Sequence, residues 1–342
     1  MHDLIINSLF ILISFFLFNN FCKKKNFFID NINKLNHKKF TNKNKVTITG
    51  GFLIIFGILF LFKYIYYISK LFFISIFILG LLSDTNKLAS PKIRILVQLI
   101  LITGYIVINN VYVNDIRIDF FNAYILDNLI FKTIFTTFCI LILINGSNFM
   151  DGVNTLNSGY FFIILINIMF QHHYNEIIIE TQNIELLLII LFIFLIFNIF
   201  GKSFMGDGGS YLLSFYVGIF LINLSNQNTL ISPYYFATLL WYPAFENFFS
   251  LFRRLIYENK NIKNPDSLHL HHLLFIFFKK KFNNGKFTNT ITGSAINLFN
   301  ILIIITSNYF INETASLILL LIFAITTYLI IYYFLKKTLN LF

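Results

Sequence analysis

Long apolar runs divide this chain, and its polar residues cluster between them. The run "LLLIILFIFLIFNIF" comes shortly before "GKSFMGDGGS", and "YLLSFYVGIFLIN" follows that cluster directly. A helix needs roughly 20 mainly apolar residues to cross a bilayer. The pattern predicts eleven candidate spans, at about 4–21, 46–62, 66–82, 93–110, 128–147, 158–171, 184–200, 210–226, 230–250, 289–309 and 315–335. The sixth is short, and "QHHYNE" marks its end. The expected class is all-α: a polytopic integral membrane protein with a single membrane-embedded domain over 1–342 and no soluble domain.

Lys and Arg orient the spans. With the N-terminus outside and the C-terminus cytoplasmic, 22 of the 26 basic residues fall on inside segments, as the positive-inside rule demands. The cytoplasmic loops are then about 22–45, 83–92, 148–157, 201–209 and 251–288. The last contains "LLFIFF", too short to cross, which lies at the interface or re-enters. The first apolar run has no small-residue cleavage site and is followed by Lys23, Lys24 and Lys25, so it reads as a retained span.

Composition agrees. Only 12% of residues are charged, against about a quarter in soluble domains. The net charge of +11 follows the topology rather than a nucleic-acid surface. Cys22 and Cys139, the only cysteines, read as inert packing and not as a disulfide or metal site.

Three acids stand at inner membrane boundaries: Asp84 in "GLLSDTNK", Asp151 in "NGSNFMDGVN" and Asp207 in "FMGDGGS". Any one alone reads as a solvated loop acid. Three, each beside Gly or Asn, point to function, because ionisable groups at membrane depth are costly. Carboxylates converging from separate helices suit Mg²⁺, which completes its octahedron with phosphate and water. Gly206 and Gly208 would let backbone N–H groups approach a phosphate. "HLHH" supplies His269, His271 and His272. Their spacing is tighter than usual for zinc, which leaves phosphate binding or proton transfer on one side and plain packing on the other. "SPKIR" places Lys92 and Arg94 at the inner mouth of the fourth span, where a cation beside a carboxylate can clamp a diphosphate. The basic loop "CKKKNFFIDNINKLNHKKFTNKNK" is explained by topology and anionic lipid. Together these residues describe a membrane enzyme for metal-assisted phosphoryl chemistry with one lipid substrate and one soluble anionic substrate. A transporter or lipid flippase would instead place ionisable residues near mid-bilayer, in broken helices.

In order along the chain, "FIDNINKLNHKK", "GG" at 50–51, "GLLSDTNKLASPKIRILVQ", "NGSNFMDGVNTLNSG", "FGKSFMGDGGSYLL" and "NPDSLHLHHLL" resemble the polyprenyl-phosphate N-acetylhexosamine-1-phosphate transferases, the MraY/WecA family. The resemblance runs from about residue 28 to 275. It implies Mg²⁺-dependent transfer of an N-acetylhexosamine 1-phosphate, GlcNAc 1-phosphate foremost, from a UDP-sugar to undecaprenyl phosphate, with release of UMP. Mn²⁺ is an alternative metal. "HLHH" after "NPD", with "WYPAFENFFSLFRR" upstream, is similar to the branch that initiates O-antigen and related polysaccharides. The peptidoglycan translocase type is the alternative. A bacterial inner-membrane location, a cytoplasmic-face site, no nucleic-acid partner and an allowed homodimer follow.

The resemblance also assigns roles. Asp207 matches the family's metal-binding Asp, with Asp84 and Asp151 as further metal or catalytic carboxylates. Lys92 matches a substrate-contacting Lys. Asn145 and Asn148 accompany Asp151 at the nucleotide, Asn198 matches an Asn upstream of Asp207, and Gly206 and Gly208 admit the diphosphate. His269, His271 and His272 match the histidine motif. Two departures stand out: Ser83 and Asn154 occupy positions where the family usually has Asp. They leave a catalytically silent member as a reading.

Overall fold

The computed structural model describes residues 2–30, 46–88, 90–174, 176–257, 268–282 and 285–341. The segment "FIDNINKLNHKK" lies outside them from residue 31 on, as do residues 258–267 of the 251–288 loop. Helix dominates the described residues, as an all-α class requires. In chain order the helices are α1 (His2–Lys25), α2 (Gly50–Phe56), α3 (Tyr67–Asp84), α4 (Pro91–Asn109), α5 (Asp119–Asp127), α6 (Leu129–Met150), α7 (Leu156–His173), α8 (Gln182–Ile199), α9 (Gly206–Gln227), α10 (Pro233–Leu239), α11 (Trp241–Phe252), α12 (Leu270–Phe282), α13 (Gly285–Asn308) and α14 (Thr314–Thr338). Each predicted span falls on one of these helices or on a consecutive pair. Among the described residues seven helices are long and apolar enough to cross a membrane: α3, α4, α6, α8, α9, α13 and α14. Outward positions such as Ile100 on α4 and Ile330 on α14 are exposed apolar side chains, suited to lipid. The chain is a polytopic membrane protein.

Several elements depart from the expected pattern, each for a local reason. The expected start of the second span is a strand, β2 (Val46–Ile48), between β1 (Ile29–Asp30) and β3 (Ser203–Phe204). β2 pairs antiparallel with β1, Ile29 opposite Thr47, and parallel with β3, Thr47 opposite Ser203. The helical part of that span is thus short: α2 passes into a π turn over Gly57–Leu61. The ninth span is broken between α10 and α11. Pro243 has no N–H for the carbonyl of Leu239, four residues back, and the buried Tyr160 hydroxyl donates to that carbonyl instead, at 2.7 Å.

The sixth span, short by its apolar run, is a full 18-residue helix, α7. Its polar residues hid its length because they are buried among partners. Asn167 donates to the Tyr235 hydroxyl at 2.8 Å, and Asn157 donates to Ser210 Oγ at 2.8 Å. The expected inner loop at 201–209 is also half helix, since α9 begins at Gly206.

α9 is the most buried of the spanning helices, and α2, α3 and α6 pack around it. Its contact with α3 is closest at Gly80, where a Cβ would stand 2.3 Å from the Cα of Gly208. Gly80 lies one turn before Asp84, on the same face of α3. The bare backbone at Gly80 therefore lets α3 deliver Asp84 to the start of α9.

Candidate active site

A helix opens with N–H groups that have no partner inside it, and its dipole favours negative charge there. At α9 two carboxylates from other elements meet that need. The Gly206 N–H donates to Asp151 Oδ2 at 3.0 Å. The Asp207 N–H donates to Asp84 Oδ1 at 3.0 Å and the Gly208 N–H to Asp84 Oδ2 at 3.1 Å. Gly206 sits at φ +73°, in the left-handed region that glycine favours. The expectation gave the amides beside Gly206 and Gly208 to a phosphate. In the structure they hold protein carboxylates, and Gly208 serves the close approach to α3.

The Asp207 side chain turns to the ends of α3 and α4. Ser83 Oγ donates to its Oδ2 at 2.5 Å. Arg94 Nη1 lies 3.4 Å from the same oxygen and also donates to Ser83 Oγ. Both charged side chains are about one-fifth exposed, so solvent still reaches the pair. Lys92 is exposed, and no hydrogen bond or ion pair joins it to these carboxylates among the described residues. The cation at the carboxylates is thus Arg94, one residue pair further along "SPKIR". Ser83, where the family usually has Asp, bridges Arg94 to Asp207.

The histidines stand next to the Asp151 turn. His271 packs against Gly152, and its ring centroid is 4.2 Å from that of His272 and 5.5 Å from that of His269. Both ring nitrogens of His271 are buried without a hydrogen-bond partner. Burial holds its pKa well below the ordinary value, and the neighbouring His272 and His269 lower it further. His271 is therefore a neutral imidazole at pH 7. His269 Nδ1 meets Glu246 Oε1 at 2.8 Å, and its ring packs at a tilt of 36° against Phe149, centroids 5.0 Å apart.

The amides expected near the nucleotide have other bonds. Asn198 accepts the Thr155 N–H at 2.6 Å and donates to the Ser203 carbonyl at 2.9 Å, clamping the turns before α7 and α9 together. Asn145 donates to Gln98 at 3.0 Å and so ties α6 to α4, one turn beyond Arg94. Asn148 is half-buried, and its carbonyl accepts the Asp151 N–H at 3.3 Å. Asn154 is held by α13: its N–H donates to Asn289 at 2.5 Å.

Among the described residues three carboxylates and one guanidinium gather at this helix end, a setting that suits a cation. Among the described residues no group of three or more His, Cys, Asp or Glu side chains is gathered as a metal cage. Mg²⁺ does not need one, since it is commonly held by one or two carboxylates plus substrate phosphates and water. The carboxylates that could serve are Asp207, Asp151 and Asp84, the last also accepting two α9 amides.

The glycosyl transferase family 4 model matches residues 64–225, which hold Asp84, Arg94, Asp151 and Asp207. Over those residues, just under half of its length, the chain is similar to glycosyl transferase family 4. This is the family of the MraY/WecA-type polyprenyl-phosphate hexosamine-1-phosphate transferases. A comparison with curated proteins gives no match. The family 4 segment ends inside α9, so the histidines, Glu246 and helices α10 to α14 lie beyond it.

Sequence reasoning missed the bridging role of Ser83 and the support of His269 by Glu246. For Arg94 the signal was present, because it stands four residues before Gln98 and shares a helix face with it. For Glu246 only its place in an apolar run was readable.

Proposed function

We propose that this protein transfers an N-acetylhexosamine 1-phosphate, GlcNAc 1-phosphate foremost, from a UDP-sugar to undecaprenyl phosphate, releasing UMP. We place the step at the cytoplasmic face of a bacterial inner membrane, where it initiates O-antigen or a related surface polysaccharide. The observation that carries the reading is the meeting of Asp84, Asp151, Asp207 and Arg94 at the start of α9, beside the histidines.

A lipid phosphate oxygen attacks the β-phosphorus of the UDP-sugar in line. A new P–O bond forms, the bond to the bridging oxygen breaks, and UMP leaves with that electron pair. The lipid phosphate needs no strong base, because its second pKa near 6 leaves it mostly dianionic at neutral pH. Asp207 and Asp151 would hold Mg²⁺, or Mn²⁺, which supplies charge neutralisation on the diphosphate when bound. Arg94, partly exposed beside Asp207, would offer its guanidinium to the phosphate oxygens. Lys92, exposed at the mouth of α4, draws in the anionic nucleotide. Neutral His271 packs behind the Asp151 turn, and Asn148 faces the nucleotide.

Purified protein with undecaprenyl phosphate, Mg²⁺ and a panel of UDP-N-acetyl sugars tests this. Lipid-dependent UMP release with one sugar is the expected result. Silence across the panel, from folded protein and from Ser83→Asp alike, overturns the reading.

A further inference from the structure

Glu246 is buried on α11, and both of its carboxylate oxygens are engaged. Oε1 meets His269 Nδ1 at 2.8 Å, and Oε2 accepts from the Tyr328 hydroxyl of α14 at 2.6 Å. A carboxylate is costly to bury unless it is paired and hydrogen-bonded, and this one stands apart from the three acids at α9. Its placement has a consequence for the histidine. The His269 ring stacks parallel to His271, 9° between planes, and packs on Phe149, two residues before Asp151. Those contacts set the plane of the ring. A carboxylate at Nδ1 sets its tautomer, because the nitrogen facing it carries the proton.

We propose that Glu246 and Tyr328 are positioning residues for His269: the carboxylate keeps the proton on Nδ1, and Tyr328 fixes the carboxylate, so that the ring is held in one tautomer and one orientation beside the Asp151 turn. The inference rests on the transferase reading and brings into the site a helix, α14, that lies outside residues 64–225. It separates the histidine cluster into a member oriented by charge, His269, and a buried neutral neighbour, His271.

Two measurements test it. In UMP-release kinetics, Glu246→Gln should lower kcat by about 10- to 100-fold, the range typical for a lost orienting partner, with KM for the UDP-sugar little changed. In a His269→Asn background the same change should have no further effect, since residues acting as a unit are not additive. Losses that multiply would mean that Glu246 acts independently of His269, and would overturn the proposal. The second measurement needs no turnover. The ¹⁵N spectrum of His269 in the wild-type protein should show a protonated Nδ1, and a bare Nδ1 with the proton on Nε2 sinks the proposal. A wild-type protein that releases no UMP defeats the transferase reading, whereas the spectrum still decides the Glu246–His269 relationship.

Discussion

The imidazole of His271 occupies the space that a side chain on Gly152 would need: a Cβ there would stand 2.3 Å from His271 Nε2. The glycine after Asp151 thus makes room for a histidine from α12. Gly152→Ala should push the ring away and disturb the Asp151 turn. The expected cost is about 1–3 kcal/mol, typical of overpacking, together with loss of most UMP release. Thermal unfolding in detergent and the release assay check both, and wild-type behaviour in each would refute the packing argument.

The same histidine gives the stability a pH dependence. An unfolded His titrates near 6.5, and in the fold burial and then His272 and His269 push the His271 value down. Between the two values the unfolded chain binds more protons, so stability rises with pH. The contribution is fully present above about pH 6.5 and is lost as pH falls toward the folded value. Unfolding midpoints followed from about pH 7.5 down to about pH 5 should drop for the wild type and less for His271→Gln. Equal slopes would show that His271 is not the group responsible.

Asp84 and Asp207, chemically alike, should fail differently. Asp84 holds two amides of α9, and hydrogen bonds to a charged group are worth about 1.5–3 kcal/mol each. Asp84→Asn should therefore lower stability as well as activity. Asp207→Asn should abolish UMP release and leave the unfolding midpoint nearly unchanged, since the Asp207 side chain is partly solvated and its partners can turn to water. Near-normal turnover by Asp207→Asn would remove it from the metal role.

The two cations of "SPKIR" should separate kinetically. Arg94 reaches Asp207 and Ser83, so Arg94→Ala should lower kcat by about 10² or more, as for other lost electrostatic donors. Arg94→Lys should restore little of it, because an ammonium lacks the planar, delocalised guanidinium that matches phosphate oxygens two at a time. Exposed Lys92 acts on encounter, so Lys92→Ala should raise KM for the UDP-sugar and spare kcat. Steady-state kinetics of the three variants settle the division, and the reverse pattern would exchange their roles.

The sequence by itself determined the membrane class, the approximate place of the seven long apolar helices and the positions of Asp84, Asp151, Asp207 and the histidines. Each of these rests on local information: an apolar run long enough for a bilayer, or an acid at its end. α7 shows the limit of that information, since Asn157, Asn167 and Gln171 are polar in sequence but buried in the fold. Only the tertiary structure decided that Asp84 caps α9, that Arg94 rather than Lys92 meets Asp207, that Ser83 links them, and that Glu246 holds His269. Those relationships join residues from different helices. Their distances depend on how closely backbones approach at positions such as Gly80 and Gly208, and no one-dimensional pattern records that approach.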